Sequence, residues 1–299
     1  MSFKQVLNSL ADNESRSISS EESSKLKELL LDSYMKIQDV CNKYNLSVML
    51  VGGSLLGAVR HKGFIPWDDD FDIAMPREDF KKFVDIFDKE LGNDFVLDSP
   101  NTGIKASNRF PKILIKNTRL VELGMEPDDP RACIKIDLFI IENVPENRII
   151  RTIHGIICSA AMFAAGHVDT YENDGERARA FFEKTAEGKK FYEKRVKIGR
   201  ALGIIPGYKW FDIVDSVCQY RRKTKYMGIP TGRKHYFGEI LPTNAFLPVS
   251  KGPFEGKEVN LPGDPDMYLT NLFGNYMEIP EEKDREKHMI YLIDFGDNK

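Results

Sequence analysis

Residues 51–75 read VGGSLLGAVRHKGFIPWDDDFDIAM, and the fold turns on this stretch. Just upstream, Leu46 to Val51 is a short apolar run that stops at Gly52 and Gly53, which predicts a buried strand followed by a glycine-made turn. Ser54 is then the expected N-cap of a short helix that ends near Arg60, ahead of the breakers Gly63 and Pro66. A second strand is expected from Phe71 to Met75. A strand that runs into Gly-Gly-Ser at a helix start lets backbone N–H groups approach a phosphate, and the helix dipole favours negative charge there. At the head of the second strand Asp70 and Asp72 flank Phe71. With a side-chain period of two, both carboxylates share one face while Phe71 and Ile73 enter the core. Paired carboxylates on a rigid strand suit Mg²⁺ or Mn²⁺, since a hard cation of this kind binds one or two carboxylates and fills its shell with water and phosphate oxygens. Singly, each feature has an ordinary reading, as a common strand-to-helix turn and as a solvated acidic run over Asp68, Asp69 and Asp70. Together they point to a phosphate and its metal held at the two ends of one small unit.

Outward from this stretch the pattern is mixed α/β. Ser19 and Glu22 form the serine-and-acid signature of a helix start, and Leu26, Leu30, Tyr34, Ile37 and Val40 recur at helical spacing as far as Tyr44. A helix is expected over 77–91, and strands over 94–97, 110–115 and 134–141. Within the last of these Asp137 is the sole acid of an apolar run, an expensive position unless the charge is paired or metal-bound. It is a candidate metal ligand or general base, with a salt bridge to Lys135 or Arg109 as the alternative. Arg60, His61 and Lys62 place positive charge one helical turn beyond the glycines, to balance a phosphate oxygen or simply to solubilise a helix end. After Pro145 helices are expected over 147–165, 174–202 and 207–226, followed by a turn-rich tail. The expected organisation is an arm over 1–23, a catalytic core over 24–145, and a helical and turn-rich lobe over 146–299 packed on it.

The chain of 299 residues carries 43 Lys plus Arg against 46 Asp plus Glu, a net charge of −3, so it lacks the basic field that holds nucleic acid. Cys41, Cys133, Cys158 and Cys218 are scattered without a C-x-x-C pair, which gives neither a zinc knuckle nor a disulfide framework and fits a reducing compartment. The polar start, Met1 to Ser24, has no apolar signal region, so a cytoplasmic protein is expected. Ile149 to Val168 is apolar but interrupted by Arg151, His154 and His167, and is not expected to span a membrane. The stretch from Ile153 to Ala165 reads as core or as an interfacial contact. Lys189, Lys190, Lys194, Arg195, Lys197 and Arg200, with Arg221, Arg222, Lys223 and Lys225, read as a solvated face or as a docking surface for an anionic acceptor at the inner face of the membrane. His235 and His288 read as structural.

Residues 53–70, GSLLGAVRHKGFIPWDDD, resemble the signature of the LicD family, which recurs in the fukutin-type ribitol-phosphate transferases. The likeness is near-continuous over 51–82, returns at Ile136–Phe139, Phe254–Gly256, Tyr268–Leu269, Phe273–Met277 and Pro280, and thins between 145 and 230. It implies an α+β, nucleotidyltransferase-like mixed sheet with flanking helices and a mostly helical C-terminal lobe. It also implies that Asp70, Asp72 and Asp137 hold one or two Mg²⁺ ions while Gly52, Gly53 and Ser54 cradle a phosphate. The implied reaction moves phosphocholine or a similar phosphoryl-linked alcohol from a CDP-linked donor to a hydroxyl of a glycan or lipid-linked glycan, with release of CMP and no nucleic-acid partner. Ser54 stands for the usual Thr and Phe71 for an aliphatic residue, which keeps a hydroxyl and the packing. Departures at 137–142 and 273–276 bear on the donor head group and the acceptor. Phe237, Tyr268, Phe273 and Tyr276 are candidates to face a choline-like cation, or to pack the core. Nucleotidyl transfer with release of pyrophosphate, and a catalytically silent nucleotide-binding subunit, remain as alternatives.

Overall fold

The computed structural model describes residues 16–122, 125–126, 128–281, 285 and 289–296. Most of the expected arm, and His288, lie outside these residues. Strand β1, Arg16–Ser17, leads to α1, Ser20–Lys43, which opens on the expected capping box: the Ser19 hydroxyl accepts from Glu22 N–H and the Glu22 carboxylate from Ser19 N–H. The core then lays down β2 (Met49–Leu50), α2 (Gly52–Arg60), β3 (Asp72–Pro76), α3 (Arg77–Glu90), β4 (Phe95–Asp98), β5 (Lys112–Ile115), β6 (Arg119–Glu122) and β7 (Lys135–Val144). Four helices follow, α4 (Arg148–Glu172), α5 (Glu176–Phe182), α6 (Ala186–Leu202) and α7 (Gly207–Cys218). The chain returns through β8 (Tyr226–Gly228), α8 (His235–Gly238), β9 (Ile240–Pro242), the hairpin of β10 (Ser250–Phe254) and β11 (Lys257–Leu261), α9 (Pro265–Phe273) and β12 (Met289–Asp294).

The main sheet has the order β2-β3-β7-β5-β4, with β8 and β9 continuing from the far end of β7. Only β3 and β7 run parallel; the other pairs are antiparallel, so the sheet is mixed and the fold is α+β, as expected. Alternation along β7 sends Ile136, Leu138 and Ile140 into the core and leaves Lys135, Asp137 and Phe139 half-buried on the opposite face. Phe71 is fully buried, its ring 5.2 Å from Tyr34 and 5.6 Å from both Phe64 and Phe254.

The core does not stop at residue 145. Phe246, Phe254, Val259, Tyr268, Leu269 and Ile290 bury into the same cluster as α1 and the main sheet. Helices α4–α7 instead build two smaller clusters, one around Cys158, Met162, Phe211 and Cys218 and one around Phe181, Phe182 and Tyr192. The lobe is thus a helical insertion between β7 and β8, while the turn-rich tail returns to the core. The single helix expected over 174–202 is two: Thr185 caps α6 by accepting from Gly188 N–H at 3.0 Å. The helix expected to reach 226 ends at Cys218, because residues 226–228 are used as a strand against β7. Helix α4 runs past His167 to Glu172 and is long and apolar enough to cross a membrane by length and composition, which the interruptions in its sequence did not lead us to expect.

Arg77 fastens lobe to core. Its Nε donates to Glu142 of β7 at 2.8 Å and its Nη2 to Asp215 of α7 at 2.7 Å, with all three side chains buried. Breaking a buried pair leaves a charge uncompensated. Arg77→Ala is expected to lower the unfolding free energy by about 3–5 kcal/mol in denaturant titration, whereas removal of the exposed Lys82 side chain stays within about 0.5 kcal/mol.

Candidate active site

A cleft of about 780 Å³ opens over the heads of β3 and β7 and the start of α2. Its acidic wall follows from register. Parallel pairing sets Asp72 beside Asp137, and antiparallel pairing sets Lys112 beside Asp137 from the other flank, with Nζ 2.8 Å from Oδ1. The cation that meets Asp137 is therefore Lys112, rather than Lys135 or Arg109 as the sequence offered. Asp68 and Asp70 join the lining from the loop before β3. Burial, then Asp70, Asp137 and Asp68 in that order, drive the Asp72 carboxyl well above its usual range. Burial pulls the Lys135 ammonium down, but Glu122 at 2.9 Å, with Asp137 and Asp70 behind it, outweighs that pull and raises it.

The glycine turn serves this acidic wall. Gly52 has φ +53°, and a Cβ there would collide with Asp72 Oδ2; a Cβ on Gly53 would lie 2.7 Å from Asp68 Oδ2. The Gly53 N–H faces Asp72 Oδ2 at 3.4 Å, and the Gly52 N–H supports the Tyr268 hydroxyl. Gly52 and Gly53 line the cleft beside the chain's own Asp72 carboxylate. Ser54 is not the N-cap: that position falls three residues earlier, at Val51, and the Ser54 hydroxyl accepts from Asp72 N–H at 2.8 Å, bracing β3.

The cationic triplet separates. Arg60 lines the cleft but spends Nη1 on the carbonyls of Tyr276 at 2.8 Å and Glu278 at 3.1 Å, so it anchors the tail that forms one wall. His61 accepts from Arg60 Nε at 2.9 Å and meets the edge of Trp67; burial and then Arg60 lower its pKa. Lys62 turns back to Val59 O at 3.1 Å. Neither His61 nor Lys62 lines the cleft. Tyr268, Phe273, Tyr276 and His235 do line it, while Phe237 lies outside.

Three further residues of the lining were not foreseen. Arg109 reaches the cleft with its Nε buried and without a hydrogen-bond partner, and burial lowers its pKa against the pull of Asp169. Arg233 lines the cleft with its guanidinium 5.4 Å from the Phe273 ring centre. Glu239, only 2% exposed, accepts from Lys234 N–H at 2.7 Å, and burial lifts its carboxyl to about 7. The signal in sequence was faint: Arg109 is one basic residue before Phe110, and Glu239 follows a short glycine-ended helix.

Among the described residues, no three His, Cys, Asp or Glu side chains close into a preformed metal cage. Mg²⁺ needs none, because it binds through one or two carboxylates and keeps its waters. Asp70 and Asp72, mutually repulsive and beside the third acid, meet that requirement.

Residues 45–119 match the LicD/FKTN/FKRP nucleotidyltransferase domain. Over 84% of this chain and 89% of the relative, the sequence is 25% identical to the lipopolysaccharide cholinephosphotransferase LicD of Haemophilus influenzae. Shorter matches reach uncharacterized proteins of Rickettsia typhi, 39% identical over 77 residues (25% of this chain, 24% of the relative), and Rickettsia prowazekii, 40% over 62 residues (21% of this chain, 22% of the relative).

The Glu239 carboxyl titrates about 7 in the folded chain against an ordinary 4.5, so folding binds its proton more tightly. The stability this gives is fully present below pH 4.5 and is lost as pH rises through 7. Glu239→Gln should therefore flatten the fall in stability between pH 5 and 8 by about 2–3 kcal/mol, read as thermal or urea unfolding at each pH.

Proposed function

We propose, from the LicD-family nucleotidyltransferase domain that this chain carries, that it is a phosphotransferase. It moves phosphocholine or a similar phosphoryl-linked alcohol from a CDP-activated donor to a hydroxyl of a glycan or its lipid-linked precursor, releasing CMP. The observation that carries this reading is the meeting of Asp70, Asp72 and Asp137 in one cleft whose lining also holds Arg109 and Arg233. The Haemophilus relative, a lipopolysaccharide cholinephosphotransferase, supports the phosphocholine and the glycan.

Asp70 and Asp72 would hold Mg²⁺ or Mn²⁺, and the bound ion would neutralise the diphosphate and polarise the transferring phosphorus. Arg109, with a buried donor left unused, binds a phosphate oxygen that the acidic wall repels, and Arg233 adds a second positive charge beside it. Lys112 fixes one oxygen of Asp137, leaving the other to take the proton of the acceptor hydroxyl. The acceptor oxygen then forms its bond to phosphorus as the bond to CMP breaks. Tyr268, Phe273 and Tyr276 give the cleft aromatic surface for a quaternary ammonium head group.

A panel of CDP-linked alcohols and CTP, incubated with Mg²⁺ and mixed glycan acceptors, tests the reading by separating CMP from pyrophosphate. Acceptor-dependent CMP is expected; pyrophosphate from CTP would replace the assignment with nucleotidyl transfer, and silence with metal-independent nucleotide binding would replace it with a binding subunit. Asp70→Ala and Asp72→Ala should each leave a folded protein with turnover reduced by about 10³-fold or more. A wild-type rate in either variant would overturn the site.

A further inference from the structure

Helix α4 is apolar on both sides. Its packed side buries Gly155, Cys158, Ala161, Met162 and Ala165, and there His154 lies 2.8 Å from both Tyr236 Oη and Val217 O, while Arg151 donates to Pro145 O at 2.7 Å. The exposed positions carry isoleucine instead. Ile149 is 72% exposed, Ile153 54%, Ile156 58% and Phe163 54%, with Ile150 and Ile157 half-exposed beside them. Their spacing of three and four places them on one helical face about 21 Å long. The remaining exposed positions of that face are Thr152 and Ala160, so it bears no charged side chain. An exposed helix face normally presents its polar side, and a contiguous apolar patch of this kind marks an interaction surface.

A basic segment borders the patch. Tyr220 sets its ring 5.8 Å from His154, Arg151 stacks 4.5 Å from the Tyr226 ring, and Lys225 N–H donates to Glu146 at 3.1 Å, so residues 220–226 run beside the first turns of α4. Exposed Arg221, Arg222, Lys223 and Lys225 therefore stand with Arg148 at one end of the isoleucine face, against the single acid Glu146. This is a local excess of positive charge in a chain whose net charge is −3.

We propose that this face of α4, with its basic border, docks on an anionic lipid bilayer. An anionic bilayer satisfies both halves of the surface, taking the isoleucines into the acyl boundary and the cations against its head groups. A second copy of the chain would cover the isoleucines but leave the basic border facing its own kind. Spanning is disfavoured because the inner face of α4 packs along α6 and α7, and α6 carries exposed Lys189, Lys190, Lys194, Lys197 and Arg200 that a spanning helix would drag into hydrocarbon. The packed side of α4 reaches toward the cleft: Phe237, 53% exposed, lies against Gly155, and its neighbours His235 and Glu239 line the cleft. Docking itself does not depend on the reaction proposed above.

Flotation of the full chain with phosphatidylcholine vesicles, with and without phosphatidylglycerol, tests this at low and high salt. Binding to the anionic vesicles, weakened by salt, is expected. Ile153→Glu with Ile156→Glu should abolish it, and Arg221→Ala with Arg222→Ala and Lys223→Ala should weaken it by about tenfold or more. All five positions are exposed, so thermal unfolding and turnover on soluble substrates should match the wild type. Absence of wild-type binding at low salt, or variants that bind as well as the wild type, would overturn the proposal. A dimer dispersed by the isoleucine variants, without vesicle binding, would overturn it in favour of a second copy.

Discussion

The ring of Phe71, packed among Tyr34, Phe64 and Phe254, is the constraint on which the cleft depends. With that ring in the core, its neighbours Asp70, at the end of the preceding loop, and Asp72, the first residue of β3, both reach the cleft. Register with β7 then adds Asp137 to them. Like charges brought together in a half-buried wall are costly, and the fold offsets the cost at three points. Lys112 pairs with Asp137, Lys135 lends its field from beneath, and the start of α2 turns a backbone N–H toward Asp72. The last is possible only because Gly52 adopts a left-handed backbone and because neither glycine has a Cβ to occupy the space of a carboxylate.

Much of this was legible in residues 51–75, because the features involved are local. A strand ending in two glycines, an alternating Asp-Phe-Asp and a lone acid in an apolar run each carry their geometry within a few residues. Several of the errors concern groups whose partners are distant in sequence, although His61 and Lys62 are held by Arg60 and Val59 beside them. Ser54 looks like a cap because its own neighbourhood is a helix start; its actual partner, Asp72 N–H, is placed by sheet pairing. Arg60 looks like a phosphate ligand until the tail returns from residue 276 to occupy its donors. Arg109 and Glu239 matter only because β5 and the segment after β8 meet across the cleft, which no periodicity announces. The domain boundary failed for the same reason: a hydrophobic pattern shows that the tail has residues to bury, but not that it buries them on Phe71 and α1.

The helical insertion shows the converse case, in which composition was read correctly and orientation was not. An apolar run broken by Arg151, His154 and His167 reads as a buried helix with a few tolerated polar groups. The side that packs is the one with small residues, Gly155, Cys158, Ala161 and Ala165, where His154 also finds Val217 O of α7 and Tyr236 Oη of α8, and the isoleucines are the side left over. Hydropathy reports how apolar a helix is, while the fit of its side chains against neighbouring helices decides which face is inside.

The acids and the arginines of the cleft lining impose opposite conditions on any ligand. The acidic wall already repels itself enough to hold Asp72 above its ordinary range, so a phosphate brought against it unaccompanied would add repulsion to repulsion. A cation between them reverses the sign of the interaction. The arginines of the lining, Arg109 and Arg233, impose the opposite condition, since their positive charge is met by an anion directly. The proposed donor, a diphosphate ester accompanied by a divalent cation, would answer both conditions, whereas a neutral sugar or a free cation would answer at most one.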